Sequence, residues 1–155
     1  MAVDEETQAT VRGLWAVGAR YGRPPAPVPE VDPWEADDPP EAAARRRLVV
    51  VLEGSPVVAV QLQAAGPDTV RVEDTVDLEV PRQDVVAVVD ALLGGRARRR
   101  VRSQGPVAHV VALVLGNPLP SELEVVVDGD RTYRAPVLVL AAASGWFHAL
   151  PTTRG

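Results

Sequence analysis

Seven prolines lie within the seventeen residues from Pro24 to Pro40, and this density constrains the fold more than any other feature of the chain. Each proline fixes its own φ angle and removes a backbone N–H donor, so the segment can form neither a regular helix nor a central strand. The composition favours extended, polyproline-like chain instead. The segment therefore separates a short N-terminal part from a longer C-terminal body.

Charge divides the chain at nearly the same place. Residues 1–44 carry nine acidic residues and three arginines, a net charge of −6, whereas residues 45–155 carry twelve acidic residues and thirteen arginines, a net charge of +1. A body of this length and apolar content can bury its own core. We therefore predict an N-terminal helix with an acidic Pro-rich arm over residues 1–44, followed by a single α+β domain over residues 45–155.

A short amphipathic helix is predicted from Thr7 to Tyr21, preceded by acidic residues that favour the helix dipole. Gly13 and Gly18 each weaken such a helix by about 1 kcal/mol relative to alanine, so it should need a surface to dock on. Gly22 is expected to end it. The apolar residues at helical spacing are Val11, Leu14, Trp15 and residues 17–19.

The body is predicted to be a mostly antiparallel sheet packed by one main helix over about residues 82–94. Apolar or alternating runs separated by turn residues predict strands at 48–52, 57–63, 70–73 and 76–80. These segments predict an antiparallel meander, in which the last two are either separate strands or one strand that continues past a bulge near Asp74–Thr75. Gly94 and Gly95 should end the main helix.

Three further features complete the predicted domain. Asp128–Gly129 is typical of a hairpin turn between arms at 122–128 and 131–140, and Pro136 places the second arm at a sheet edge or bulge. The valine-rich run 107–115 favours a buried strand, although periodicity alone leaves a helix open. The last apolar patch, expected to cap an open end of the core, consists of Trp146, Phe147 and Leu150.

The residue inventory excludes several kinds of chemistry. The chain has no cysteine and only two histidines, His109 and His148, which excludes Cys-ligated zinc and three-histidine metal sites. A Ser144–His148–Asp130 triad lacks the Gly-x-Ser-x-Gly turn that would expose the serine. We predict no catalytic residue, no metal and no cofactor. Four carboxylates lie within seven residues, at Glu73, Asp74, Asp77 and Glu79. Glu73, Asp77 and Glu79 alternate with apolar residues, which favours a solvated sheet face over a cation site.

All 16 basic residues are arginine, and the chain has neither lysine nor isoleucine. A GC-rich genome accounts for this bias, so the arginine excess by itself is weak evidence for phosphate recognition. Five arginines nevertheless lie within residues 96–102, and they favour either a patch for an acidic partner or nucleic acid, or a solvated edge strand or loop. The net charge of −5 and a pI near 5.0 argue against nucleic acid.

Trp34 lies among carboxylates in a segment that cannot form its own core. It either packs back on the body or anchors a partner. A third possibility for the basic cluster is that the acidic arm lies across it, in the same molecule or in a neighbour. The residues predicted to bind a partner are therefore Trp15, Trp34, Asp37, Asp38, Arg96, Arg98, Arg99, Arg100 and Arg102.

These observations favour a non-catalytic, intracellular protein-binding or assembly module that docks through its N-terminal arm and sheet edges, onto a protein partner or a second copy. One alternative is a small-ligand or carboxylate-based enzyme in which Glu73 or Asp77 converges with His109. The other is a nucleic-acid-associated regulator that uses Arg96–Arg102. The acidic first ten residues and the shortness of the apolar runs predict a cytoplasmic protein without a membrane segment.

Overall fold

The computed structural model describes residues 4–25, 48–101, 105–107, 110, 114, 120–137 and 145–154. These residues form a mixed α+β fold, which confirms the predicted class. In chain order the elements are α1 (Glu5–Arg20), β1 (Leu48–Leu52), β2 (Val58–Leu62), β3 (Asp68–Val72), β4 (Val76–Val80), α2 (Arg82–Leu93), β5 (Ala97–Val101), β6 (Ser121–Val127), β7 (Arg131–Val137), α3 (Gly145–Ala149) and β8 (Thr152–Arg154).

The strands form two four-stranded sheets. The first has the order β1-β2-β3-β4 and is an antiparallel meander, as predicted. The second has the order β7-β6-β5-β8, in which only β5 and β8 run parallel. The two sheets approach each other at β4 and β7, and α2 packs across both of them, against β3, β4 and β6. α1 in turn packs on α2 and β1.

Alternation along the strands sends one side of each sheet into a shared core. In β4, Val76, Leu78 and Val80 are buried while Asp77 and Glu79 are exposed. The buried face of α2 supplies valines and leucines at helical spacing, and Phe147 of α3 closes the core with Trp146 and Leu150 packed beside it. The predicted main helix and the predicted aromatic cap are therefore confirmed.

Both long helices end in glycine-containing caps, as predicted. Gly22 has φ +67°, and Arg23 N–H donates to the Gly18 carbonyl at 2.7 Å. Gly95 has φ +74°, and Arg96 N–H donates to the Ala91 carbonyl at 2.8 Å. A left-handed residue at this position turns the chain sharply and satisfies carbonyls that the helix leaves unpaired.

Of the two interpretations of the junction between β3 and β4, the continuous strand with a bulge is wrong. Glu73 and Asp74 both have positive φ, 52° and 54°, and Val72 pairs directly with Val76. The chain therefore reverses in a three-residue turn instead of continuing past a bulge. Aspartate tolerates the left-handed region better than most residues, which is why this turn forms without glycine.

Two further expectations differ from the structure. The arginine-rich β5 is an internal strand, because the C-terminal β8 pairs with it in parallel and covers the edge that would otherwise be free. In the valine-rich run, the described positions Val107, Val110 and Val114 have helical backbone and are largely exposed, so they do not belong to a buried strand. A proline at 106, where the helical backbone begins, suits the first turn of a helix.

The predicted hairpin is confirmed. β6 and β7 pair in register from Ser121–Val137 to Val127–Arg131, and Asp128 and Gly129 at the turn have φ of 49° and 81°. β7 is an edge strand of its sheet, which is where Pro136 can be accommodated because it lacks the N–H that an inner strand would need.

Candidate protein-docking site

α1 is held on the body along its whole length, which fixes the side chains on its outer face. Leu14 and Val17 are buried in the common core. At the C-terminal end, Arg20 Nη1 lies 2.6 Å from Asp90 Oδ1 of α2. Just beyond the helix, the Arg23 guanidinium donates to the carbonyl oxygens of Ser55 and Pro56 at 2.5 and 2.6 Å.

The N-terminal end of α1 is fixed by a chain of polar contacts. Asp4 is the N-cap, and its carboxylate accepts hydrogen bonds from both the backbone N–H and the hydroxyl of Thr7, each at 2.7 Å. These bonds lower the pKa of Asp4 below its ordinary value. The Thr7 hydroxyl also accepts from Arg82 Nη1 at 2.6 Å, so the first turn is tied to the start of α2.

An open groove of about 460 Å³ lies between the outer face of α1 and the start of β1. Trp15 is 49% exposed and Leu48 is 40% exposed, although both are large apolar residues. Complete burial of a large apolar side chain is favourable by roughly 1.5–3 kcal/mol, and about half of this remains to be gained at each residue, so a half-exposed pair on a fixed surface is typical of a contact site. The groove is lined by Gln8, Val11, Arg12, Trp15 and Leu48.

Arg12 is the charged residue of this groove. Its Nε donates to the Gln8 carbonyl at 3.4 Å, and it makes no ion pair with any residue in the described ranges. An exposed guanidinium beside an indole presents its terminal N–H donors next to an apolar surface, which suits a carboxylate on a partner. In the described part of the chain, the lining of the groove therefore combines an aromatic anchor, Trp15, with one positive charge, that of Arg12.

Sequence reasoning found Trp15 but missed the other four lining residues. Gln8, Val11, Arg12 and Trp15 occupy positions i, i+3, i+4 and i+7, which lie on one face of a helix. The spacing of these four residues therefore indicates a shared helix face, but the sequence interpretation assigned Val11 and Trp15 to the same face as Leu14. Leu48 carries no local signal, because its proximity to α1 depends on the tertiary fold.

The other predicted partner-binding residues lie apart from the groove or outside the described residues. Trp34, Asp37, Asp38 and Arg102 are outside the described ranges. The remaining arginines of the cluster are distributed along and beside β5, where alternation separates them onto two faces. A nucleic-acid-binding surface needs positive charges that act together, so the separation of these arginines onto two faces does not favour one.

Each arginine of the cluster has different surroundings. Arg96 lies 2.5 Å from Asp90 Oδ2, and Arg100 lies 4.0 Å from Glu124 Oε2. Arg99 faces the opposite side, with its guanidinium 5.5 Å from the centre of the Phe147 ring, within range of a cation–π interaction. Arg98 is exposed and makes no ion pair with the part of the chain described. Asp90 and Glu124 thus each offset the charge of one arginine of the cluster.

A second, more polar hollow of about 520 Å³ lies at one end of β5 and β6. It includes Arg96 and Arg98 together with Asp128, so both signs of charge line it. Among the described residues that line it, the apolar side chains are those of Val126 and Pro151. None of these described lining residues is aromatic, and we therefore regard the α1–β1 groove, which has Trp15, as the stronger docking surface.

Several side chains considered for catalysis or metal binding have structural partners. Asp77 makes two hydrogen bonds with Arg71, at 2.7 and 2.9 Å, and this contact lowers the pKa of Asp77. Glu73 accepts a hydrogen bond from the Val57 N–H at 3.1 Å. Within the described residues, no three histidine, cysteine, aspartate or glutamate side chains come together in a metal-binding group.

The two histidines and the suggested triad give no assembled site among these residues. His109 and Ser144 lie outside the described ranges, so neither a convergence of His109 with Glu73 nor the triad can be placed. His148 is exposed on α3, and Asp130 is exposed at the tip of the β6–β7 hairpin.

None of the described helices is both long enough and apolar enough to cross a lipid bilayer. No protein-family model matches the chain, and neither a curated protein nor a solved structure is significantly similar to it.

Proposed function

We propose that this chain is a non-catalytic protein-binding or assembly module, and that the α1–β1 groove is its docking surface. The observation that carries the proposal is Trp15, which is half-exposed although the helix that bears it is fixed at both ends. Tryptophan is the residue type most enriched among the side chains that dominate binding energy at protein interfaces. A fixed tryptophan also loses little conformational entropy when a partner covers it.

The lining of the groove suggests the chemistry of the partner. Trp15, Val11 and Leu48 would contact an apolar or aromatic side chain, and Arg12 would pair with a carboxylate close to that side chain in sequence. We therefore expect the partner to present an apolar anchor flanked by an acidic residue. A segment of this kind fits a groove open at its side better than it fits a flat surface.

The proposal is tested by selecting peptides from a displayed random library on the purified full chain, with counter-selection on Trp15→Ala. We expect peptides with an apolar anchor and an acidic neighbour, and Trp15→Ala should weaken their binding at least about 30-fold, the loss expected for an interface anchor. Arg12→Gln should weaken binding about 3- to 10-fold and reduce its dependence on salt. Ala16→Ser, also exposed on α1, is the matched control and should bind as the wild type does.

Mass in solution, measured over a range of concentrations, shows whether the partner is a second copy of this chain or a different protein. A dimer that dissociates in Trp15→Ala but not in Ala16→Ser would identify a second copy as the partner. A chain that stays monomeric and selects no peptide that distinguishes wild type from Trp15→Ala would overturn the proposal.

A further inference from the structure

The polar hollow at one end of β5 and β6, which we call the β5–β6 hollow, is large enough to hold an organic molecule. Its volume of about 520 Å³ lies within the range of roughly 300–1,000 Å³ that is usual for small-molecule sites. None of its described lining residues belongs to the α1–β1 groove. The hollow is therefore a separate surface, and its chemistry can be considered independently of protein docking.

Two arginines line the hollow from the same face of the second sheet. Arg96 comes directly before β5 and continues its pairing with β6, because the Val126 N–H donates to the Arg96 carbonyl at 3.3 Å. Residues two apart along an extended chain share a face, so Arg96 and Arg98 both lie on the outer face of the sheet. Both belong to the lining of the hollow. Two guanidinium groups therefore contribute positive charge to one site.

Arg98 keeps its donors because the acid opposite it has other partners. In the register of β5 and β6, Arg98 lies opposite Glu124. Glu124 Oε2 lies 2.8 Å from Arg134 Nε and 4.0 Å from an Nη atom of Arg100. Arg98 is exposed and makes no ion pair with the described residues. Its guanidinium is thus available to an acceptor that enters the hollow.

The carboxylate that lines the hollow has a cation of its own. Asp128 Oδ2 lies 3.1 Å from Arg131 Nη2, so its negative charge is offset by an arginine from outside the described lining. Arg96 contacts Asp90 through Nη2, but 44% of its side chain remains exposed. The positive charges of Arg96 and Arg98 therefore outweigh the negative charge at the hollow, and this balance favours an anionic ligand.

A hydroxyl group in the lining provides an independent indication of a ligand. Thr153 of β8 lines the hollow, and its Oγ1 is buried without a hydrogen-bond partner among the described residues. Buried polar atoms in native proteins nearly always have a partner, because an unpaired one costs free energy. A threonine hydroxyl can donate to an oxygen of an anion. A ligand with acceptor atoms would therefore satisfy this group.

A phosphate monoester fits these groups better than a carboxylate does. It carries a charge of about −1.5 to −2 near pH 7, which two guanidinium groups can balance. Its three terminal oxygens can accept from donors on different sides, whereas one guanidinium can satisfy both oxygens of a carboxylate. The half-buried Val126 and the exposed Pro151 provide apolar surface beside these donors for the organic part of the ester.

We infer that the β5–β6 hollow binds a small organic phosphate. Arg98 is the main contact of the phosphate group, and Arg96 and Thr153 supply further donors. The inference goes beyond the proposed function and does not depend on it, because the hollow and the α1–β1 groove are lined by different described residues.

NMR titration of the full chain with phenyl phosphate and with inorganic phosphate tests the inference. We expect saturable shifts of the Gly95 and Gly129 amides, and phenyl phosphate should bind at least about 3-fold more tightly because its ring covers apolar surface. Arg98→Gln should weaken binding at least about 10-fold, and Thr153→Val about 3- to 10-fold. Arg12→Gln, which removes another exposed arginine, is the matched control and should bind phenyl phosphate as the wild type does.

Three results of this titration would overturn the inference. They are the absence of saturable binding of phenyl phosphate, equal weakening in Arg98→Gln and Arg12→Gln, and binding of phenyl phosphate no tighter than that of inorganic sulfate. The last result would indicate an adventitious ion only. Arg98→Gln should leave the binding of peptides to the α1–β1 groove unchanged, so a failure of the docking proposal is distinguishable from a failure of the phosphate site.

Discussion

Arg82 and Asp68 form a two-point ion pair where α1, β3 and α2 meet. Arg82 Nε lies 2.5 Å from Asp68 Oδ2, and Nη2 lies 2.9 Å from Oδ1. The Asp68 side chain is fully buried and also accepts a hydrogen bond from the Gln63 N–H at 2.8 Å. Two further donors of Arg82 reach the Gln63 carbonyl and the Thr7 hydroxyl. The pair therefore joins three elements through one guanidinium.

Asp68→Asn should lower the free energy of unfolding by about 3 kcal/mol, because it leaves the partly buried Arg82 without its counter-charge. Chemical denaturation measures the change. Asp77→Asn is the matched control, since Asp77 makes the same two-point contact with Arg71 but both side chains are well exposed. It should cost at most about 1 kcal/mol. Equal losses in the two variants would contradict the role given to burial.

Gly18→Ala tests how closely α1 approaches the body. A Cβ at this position would lie 2.4 Å from the Arg23 carbonyl oxygen and 2.9 Å from Leu52 Cδ2. Alanine favours an isolated helix by about 1 kcal/mol over glycine, but here the overlap with backbone should give a net loss of about 1–3 kcal/mol. Gly145→Ala, with no atom within 4 Å of its Cβ, should not destabilise the chain. Thermal unfolding of both variants measures the difference, and a stabilised Gly18→Ala would contradict this close approach.

Asp74→Gly should stabilise the β3–β4 turn. Asp74 has φ +54°, a conformation that costs a side-chain-bearing residue about 1 kcal/mol and glycine very little. Part of this gain is offset by the greater freedom of glycine in the unfolded chain, so we expect a net increase of about 0.5 kcal/mol. Asp74→Ala, which keeps a Cβ but loses the local tolerance of aspartate, should destabilise the turn. The two substitutions should therefore have opposite signs in equilibrium unfolding.

The parts of the fold that the sequence predicted are those with a local physical cause. Valines and leucines at helical spacing predicted α2, alternation predicted β4, and Asp128–Gly129 predicted the β6–β7 turn. The turn at Glu73–Asp74 was missed because neither residue is glycine, so its left-handed backbone has only a weak sequence signal. β8 was missed because it has three polar residues and forms through a non-local parallel pairing with β5.

The α1–β1 groove was predicted only in part, because only some of its residues have a local sequence signal. Trp15 was identifiable as a large aromatic in a charged segment, but its exposure depends on which face of α1 meets the body. Leu14 and Trp15 are adjacent, so they point about 100° apart on the helix, and only one of them can face α2. The contact between Leu48 and the outer face of α1 joins residues far apart in sequence, and no local pattern predicts it.

Tyr133 makes a contribution to the free energy of unfolding that is lost at alkaline pH. Its hydroxyl donates to Asp84 Oδ2 at 2.5 Å, and Arg131 pairs with the same nearly buried carboxylate. Burial, and then the hydrogen bond to Asp84, raise the pKa of Tyr133 above its ordinary value of about 10. The folded state therefore prefers the protonated phenol. Its contribution is complete below about pH 10 and is lost as the pH rises through the folded-state pKa.

Urea unfolding from about pH 8 to about pH 11 should show this loss in the wild type and a flatter dependence above about pH 10 in Tyr133→Phe. The second tyrosine, Tyr21, contacts Asp90 instead, so Tyr21→Phe is the control and leaves Tyr133 as the single phenol to titrate by ultraviolet absorbance. In that background the phenol should titrate above about pH 10. An alkaline slope that is the same in Tyr133→Phe as in the wild type would show that another group is responsible.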